Sequence, residues 1–248
     1  LDNKFFEYYD KYLGISMSNK HPKIYPCKQR NKLLARNYFQ HLIITNREGL
    51  IYSIEPLFYS QFKMYIDIEK YSEINESLIL LINNFFNKRF GNYKIRKMLR
   101  LTTANDLKFL QSTCARKLTI GDKDIFLNSG NKSNTKPYKE RKWDAIKAMI
   151  REERAFVYVH QNQILSLAIV SNIDFNGGNI VVNTVPEYRN FGYGKLVVSK
   201  AAKWCLENDV LPIYWVDSLN VNSLKLALSI GFQIMAEELV VSTEKDEK

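Results

Sequence analysis

Cysteine is scarce in this 248-residue chain: Cys27, Cys114 and Cys205 are odd in number and share no close spacing. A disulfide framework or a four-ligand zinc site needs paired or clustered thiols, so both are set aside and reduced thiols are expected. Histidine is as sparse, with His21, His41 and His160 far apart, and nothing in the sequence reads as a metal cluster. Long apolar runs are missing too. The longest stretch, from Leu78 to Ile82, is broken by Asn83 and Asn84, well short of the roughly 20 residues that cross a bilayer. The chain opens at Leu1 without a charged-then-apolar leader, so a cytoplasmic protein with no membrane partner is expected. What is present is core material: 46% of residues are hydrophobic and 13% aromatic, which excludes a wholly disordered chain.

The charge is +10 and unevenly spread. Residues 1–100 hold 17 Lys and Arg against 9 Asp and Glu, whereas residues 101–248 hold 19 against 17. The densest group is Lys88, Arg89, Lys94, Arg96, Lys97 and Arg100, with no acid among them. Such a face suits nucleic acid, an anionic membrane or an anionic cofactor. Lys outnumbers Arg 25 to 11 and no nucleic-acid reading motif accompanies the charge, so nucleic acid is kept only as an alternative partner.

Along the chain, His41 to Thr45 and Leu50 to Ile54 form two β-branched runs joined by Asn46-Arg47-Glu48-Gly49, a hairpin signal. Leu78, Leu81, Ile82 and Phe85 recur at helical spacing before Gly91. The abundant Tyr and Phe of this half read as core rather than pocket lining. Ile95 to Leu101 reads as a strand, and Thr103-Ala104-Asn105-Asp106 as the cap of a helix running to about Ala115. Polar residues 119–138 read as a loop or lid. A helix follows from Lys139 to Glu153 with Trp143, Ile146 and Ile150 on one face. Ala155 to Val159 and Ile164 to Val170 are strands, and Gly177-Gly178 leads into a third, Ile180 to Val185. The tail from Glu244 to Lys248 is expected to fray.

The informative segment runs from Val181 to Lys195 and reads VVNTVPEYRNFGYGK. An apolar strand stops at Pro186, Gly192-Tyr193-Gly194 closes a short loop, and Val197, Ala201, Trp204 and Cys205 then mark an amphipathic helix. Free amides and the helix dipole make such a helix start a site for phosphate or pyrophosphate. A dinucleotide fingerprint fails, because Val197 stands where its third glycine belongs. A Walker loop fails at Arg189 and Leu196.

Arg189-Asn190-Phe191-Gly192-Tyr193-Gly194, led in by Val185-Pro186-Glu187-Tyr188, resembles the central motif of the GNAT superfamily of N-acetyltransferases. The second motif of that family follows at matching distance as Asn220-x-x-Ser223, with Gly231-Phe232 closing its helix and the apolar strand Leu211 to Val216 in between. The resemblance covers about residues 95–242. It implies an α/β (α+β) GNAT fold, a mixed, mostly antiparallel sheet splayed between the family's strands 4 and 5 with helices on both faces. Residues 1–94 would form an N-terminal α/β extension, a region for acceptor binding or interaction, and residues 95–248 the acetyltransferase domain.

The resemblance further implies acetyl-CoA as co-substrate. Thr184 and Val185 would offer main-chain contacts to its pantetheine arm. The amides from Asn190 through Lys195 (Asn190, Phe191, Gly192, Tyr193, Gly194 and Lys195), beside Arg189, would hold its pyrophosphate. Asn220 and Ser223 would contact it further along, beside a capping role. The implied reaction is direct attack of a neutral primary amine on the acetyl thioester. Two departures matter. Ala227 stands where the family often has the tyrosine that protonates the thiolate, and the strand at 179–185 holds no Asp, Glu or His. Asp217 and Glu187 remain as candidate bases, each with an alternative role in a loop or cap, and no metal is implied. The pairing of this motif with the N-terminal region resembles a bacterial branch that includes antibiotic-modifying enzymes of the zwittermicin-resistance type. A basic chain suits polyanionic CoA and repels polycationic acceptors, so a small-molecule amine other than an aminoglycoside or polyamine is favoured. A non-catalytic CoA or acyl-CoA sensor and an RNA- or ribosome-associated acetyltransferase are the alternatives. Acyl length and oligomeric state, a homodimer included, are left open.

Overall fold

A computed structural model of the chain describes residues 2–15, 23–34, 38–103, 115–130 and 135–245. It begins with helix α1 (Asp2–Leu13), strands β1 (Ile24–Pro26), β2 (Tyr38–Asn46) and β3 (Leu50–Ile54), and helices α2 (Tyr59–Tyr65) and α3 (Glu76–Asn87). Strands β4 (Lys94–Thr102) and β5 (Ala115–Lys117) and helices α4 (Lys123–Asn128) and α5 (Lys136–Arg151) follow. Strands β6 (Ala155–His160), β7 (Gln163–Asp174) and β8 (Gly177–Thr184) precede helix α6 (Tyr193–Glu207). Strand β9 (Leu211–Asp217), helix α7 (Val221–Ser229) and strand β10 (Gln233–Glu244) complete the order. They gather into two compact units. One comprises Leu1–Arg100, Val216–Asn220 and Ile234–Lys248, and the other Leu101–Trp215 and Val221–Gln233. Among the described residues no helix is long and apolar enough to cross a membrane.

In the first unit the strands run in the order β1-β3-β2-β10-β4. The expected hairpin forms: Asn46 pairs with Leu50, Glu48 and Gly49 take positive φ, and Asn46 Oδ1 accepts the Gly49 amide at 3.1 Å. The last strand joins this unit because β10 pairs antiparallel with β2 from Glu238↔Thr45 to Glu244↔Tyr38. The first unit therefore extends beyond residue 94 to take in residues 95–100 and a C-terminal strand. A bulge leaves His41 without a partner between Leu42 and Gln40, so His41 and Leu42 turn to the same face. On that face Leu42, Ile44, Tyr52, Ile54, Leu239 and Val241 pack under Phe62 of α2 and Leu78, Ile82, Phe85 and Phe86 of α3. The helix-period stripe of α3 is thus core, and the side chain of Asn75 caps its start by accepting the Leu78 amide.

The opposite face meets α1 through a buried polar cluster. Arg100 grips Glu238 with two bonds, Nε to Oε1 at 2.6 Å and Nη2 to Oε2 at 3.3 Å, and donates to the Tyr8 hydroxyl at 2.8 Å. Tyr9 donates to Glu238 Oε1 at 2.8 Å, and burial together with that carboxylate pushes the Tyr9 pKa well up, so its hydroxyl keeps its proton. Arg30, fully buried, donates to Gln40 Oε1 and to the Tyr12 carbonyl. The basic group read from the sequence is consequently dispersed. Arg100 points inward, Lys94 pairs with Glu244, Arg96 donates to Ser242, and Arg89 lies over the Phe85 ring and bonds Gln61, leaving Lys88 and Lys97 exposed.

In the second unit the order is β9-β8-β7-β6-β5, antiparallel apart from the parallel pair β8–β9. Gln161 and Asn162, both at positive φ, form the two-residue turn between β6 and β7, and His160 sits exposed beside it. Phe175 and Asn176 do the same between β7 and β8. Gly177 and Gly178 are therefore strand residues rather than a lead-in turn. A Cβ at Gly178 would lie 2.8 Å from both Val170 and Val210 and 3.2 Å from Cys205 Sγ, so packing against α6 demands the glycine. Burial pushes the Cys205 thiol up to about 12, which keeps it an inert core group.

Trp143, Ile146 and Ile150 of α5 pack on Ala155, Val157 and Ile164, and the pleat turns Tyr158 to the other face, toward α6. Two expectations change. Residues 119–138 are not simply a loop, since a capping box at Thr119 and Asp122 starts a 3-10 turn that continues into α4. The helix expected from Thr103 lies at residues 104–114, outside the described residues, as does Cys114, and its intended end, Ala115, pairs with Tyr158 as a strand residue.

Replacing Arg100 with leucine leaves Glu238 and Tyr9 buried without their cation. It is expected to cost about 3–5 kcal/mol in urea unfolding, most of it restored in the double variant Arg100→Met/Glu238→Leu. A second expectation concerns His41. Its Nδ1 lies 2.6 Å from Glu55 Oε2 and its Nε2 2.8 Å from Thr243 Oγ1, with Phe39, Phe58 and Phe90 around the ring. Burial holds its pKa below the usual 6.5, outweighing the nearby Glu55 carboxylate. The unfolded chain binds this proton first, so stability is full above pH 6.5 and declines as pH falls toward the depressed folded value. His41→Gln should flatten that decline in unfolding midpoints measured across the interval.

Candidate functional site

Strand β8 is paired along its whole length on one side only, by β7. Val185 donates its amide to the Leu165 carbonyl at 2.9 Å, so the period of two turns the main-chain groups of Val181 and Asn183 toward β7 and those of Ile180, Val182 and Thr184 away from it. On that other side β9 pairs with β8 at just Gly177↔Leu211, Gly178↔Pro212 and Asn179↔Ile213. Beyond Asn179 the two strands part. The splay expected between the family's fourth and fifth strands is thus present between β8 and β9, and Val182, which the motif comparison did not single out, presents main-chain groups to it.

At the wide end Thr184 Oγ1 and Ser166 Oγ lie 2.8 Å apart, and Arg189 Nε approaches the Thr184 carbonyl at 3.4 Å. Val185 differs from expectation. Its amide is engaged by Leu165, while its carbonyl accepts the Tyr188 amide at 2.9 Å and keeps a second lone pair. Pro186 begins a 3-10 turn to Tyr188, with Glu187 exposed on it, and the turn ends the strand because proline brings no amide to a ladder.

The loop then alternates. Asn190 has φ +68° and Gly192 φ +83°, flanking Phe191, before α6 starts at Tyr193. Among the described residues the amides of Asn190, Phe191, Gly192, Tyr193 and Gly194 meet no protein acceptor. The amide of Lys195 does, bonding the Gly192 carbonyl at 3.0 Å, as does that of Leu196 at 3.3 Å. Five open amides rather than six therefore form a nest at a helix start, an arrangement whose polarity suits an anion. The two glycines serve different needs. Gly192 has open space around its missing Cβ and is required by its left-handed backbone, whereas a Cβ at Gly194 would sit 2.7 Å from Leu226 and 3.2 Å from Thr184 Oγ1. Gly194 thus lets α6, α7 and β8 close on one another beside the nest.

On α7 Ser223 Oγ lies 2.7 Å from the hydroxyl of Tyr214, the first β9 residue past the paired segment. Tyr214 is a hydroxyl that the motif search missed, because a tyrosine in an apolar strand carries no pattern of its own. Ala227 is fully buried and brings no hydroxyl. Asp217 Oδ1 accepts the Leu219 amide at 2.9 Å and its carbonyl accepts the Asn220 amide at 2.8 Å, so this candidate base also shapes the loop that leads to α7. Among the described residues no group of His, Cys, Asp and Glu could hold a metal ion.

Gly194→Val forces α6 away from Leu226 and Thr184 and is expected to cost about 1–3 kcal/mol in chemical denaturation. Gly192→Ala, strained by its backbone alone, should cost about 1–2 kcal/mol.

The model of the GNAT acetyltransferase family matches residues 58–238. A Bacillus subtilis protein described as an uncharacterized N-acetyltransferase, YdfB, is 26% identical over 116 residues, covering 47% of this chain and 44% of its own length. The chain thus spans under half the length of that relative. A solved GNAT-family acetyltransferase from Colwellia psychrerythraea superposes with a TM-score of 0.53 at 15% identity over 81% of each chain. A GCN5-related N-acetyltransferase from Sphaerobacter thermophilus gives 0.50 at 12% identity over 85% of this chain and 78% of that one. At such identities the two structures speak for the fold alone. The family model speaks for more, since it matches well over half of the sequence, and on that match the chain belongs to the GNAT acetyltransferase family.

Proposed function

We propose that the chain moves an acetyl group from acetyl-CoA to a primary amine of a small-molecule acceptor by direct attack. One observation supports this most: five open amides at the head of α6 stand next to a strand pair that parts after three residues. The donor's pyrophosphate takes the amides of Asn190 to Gly194, with Arg189 and Lys195 adding positive charge at the same loop. Its pantetheine arm follows β8, bonded through the outward main-chain groups of Val182 and Thr184. Ser223 and, by the family resemblance, Asn220 contact the donor beyond its pyrophosphate. Residues 1–94 are the proposed source of acceptor choice.

In the reaction the neutral amine adds to the thioester carbon. The C–N bond forms, the C–S bond breaks, CoA leaves as thiolate, and the nitrogen gives up its extra proton. Asp217 and Glu187 are the carboxylates proposed to accept that proton directly or through water. The thiolate leaves as the anion or takes a proton from the Tyr214–Ser223 pair, since Ala227 offers none. Ala227 and the carboxylate-free β8 favour a second reading, a protein that holds CoA or an acyl-CoA without turning it over.

Calorimetry should detect acetyl-CoA binding in the micromolar range for wild type, lost in Gly192→Glu, which adds a repelling charge at the nest, and retained in Gly192→Ala. Thiol release against a panel of primary amines then separates an enzyme from a sensor, and Asp217→Asn and Glu187→Gln identify the base by which of them lowers kcat. A folded wild type without acetyl-CoA affinity would sink the proposal.

A further inference from the structure

Beside the amide nest three aromatic rings are stacked. Tyr158 of β6 lies against Tyr193 with ring centroids 4.1 Å apart and planes inclined by 14°, and Phe191 lies against Tyr193 at 5.8 Å and 14°. Tyr193 is common to both contacts and opens α6, so the group has a rigid base. Tyr158 pairs across β6–β7 with Ser166, and Ser166 pairs across β7–β8 with Thr184, which ties the stack to the sheet that borders the gap. Phe191 ends the group and is 66% exposed. It sits between Asn190 and Gly192, both at positive φ.

A large apolar ring kept in water on a fixed support suits a flat partner. The diphosphate proposed for the nest carries an adenosine on one side, joined through a single ribose, and Phe191 contributes one of the nest amides itself. The base attached to that diphosphate therefore falls within reach of the ring. We infer that Phe191, backed by Tyr193 and Tyr158, is a stacking platform for the adenine of the donor, so that the chain prefers nucleotide-bearing thioesters to those ending at 4′-phosphopantetheine. The inference rests on the acetyl-CoA reading of the same loop. Ring-on-base stacking of this kind changes affinity by about 5- to 150-fold, and the exposed position of Phe191 lets it be replaced without disturbing the core.

The test measures dissociation constants for CoA and for 4′-phosphopantetheine, which lacks the 3′-phosphoadenosine and one of the two bridging phosphates, on wild type, Phe191→Ala, Phe191→Trp and Tyr158→Leu. Phe191→Ala should weaken CoA by about tenfold and leave 4′-phosphopantetheine unchanged. Phe191→Trp should bind CoA as wild type does, and Tyr158→Leu should weaken CoA selectively because the platform loses its support. An equal loss for both ligands in Phe191→Ala means the residue shapes the loop instead, and no loss for either means the ring is idle; both overturn the platform while leaving the donor reading intact. A folded wild type that binds neither ligand overturns the donor reading and the platform together.

Discussion

The early parting of β8 from β9 is the constraint on which the functional half of this structure depends. Three parallel pairs hold the strands at Gly177 to Asn179, and past them the outward main-chain groups of Ile180, Val182 and Thr184 have no ladder partner on β9. Unpaired backbone in a sheet is costly unless something else bonds it. The fold concentrates that cost beside a loop whose amides are also open, so the elongated donor proposed above, with its anionic end and amide-bearing arm, would satisfy both. Gly178 tightens the closed end against Val170, Val210 and Cys205, and Gly194 allows Leu226 and Thr184 to approach at the other. The two packing glycines thus bracket the region where the strands diverge.

The first unit uses its basic residues for a different purpose. Arg30 and Arg100 are among its most buried side chains, embedded with Tyr8, Tyr9, Tyr12, Gln40 and Glu238 between α1 and the sheet. Stacking on tyrosine suits a guanidinium, which is weakly hydrated and planar, and each Arg lies over the Tyr12 ring, at 4.6 and 4.2 Å. Positive charge counted along the sequence is therefore a poor measure of positive surface here. On β4 the pleat turns Lys97 away from Lys94, Arg96 and Arg100, and these three are each engaged by a β10 side chain, Glu244, Ser242 and Glu238 in turn.

Much of the architecture was legible beforehand. The hairpin at residues 41–54, the stripes of α3 and α5, the strands at 155–170 and the order around the glycine loop all depend on periodicity or turn chemistry, which are local properties. The failures were local signals outvoted by context. Gly177-Gly178 reads as the lead-in to a strand, but the positive φ falls at Phe175 and Asn176, and Gly178 answers a packing demand from Val170, Val210 and Cys205. The Val185 amide looked free from the sequence, but the strand pairing gives it to the Leu165 carbonyl. Tyr158, Val182 and Tyr214 carry no motif, and their placement arises from strand pairing and pleat direction.

The sequence by itself determined where a strand must stop, where a helix must start and which loop presents open amides, because Pro186, Gly192 and Gly194 act through their own covalent geometry. It also carried the family, since spacing between two motifs survives when most other residues change. The tertiary structure alone decided which main-chain groups face the gap, which cations are buried, and that rings from residues 158, 191 and 193 come together. Those outcomes depend on register and on contacts between distant segments, and a one-residue shift in pairing would turn strand residues such as Arg100 and Tyr158 to the opposite face.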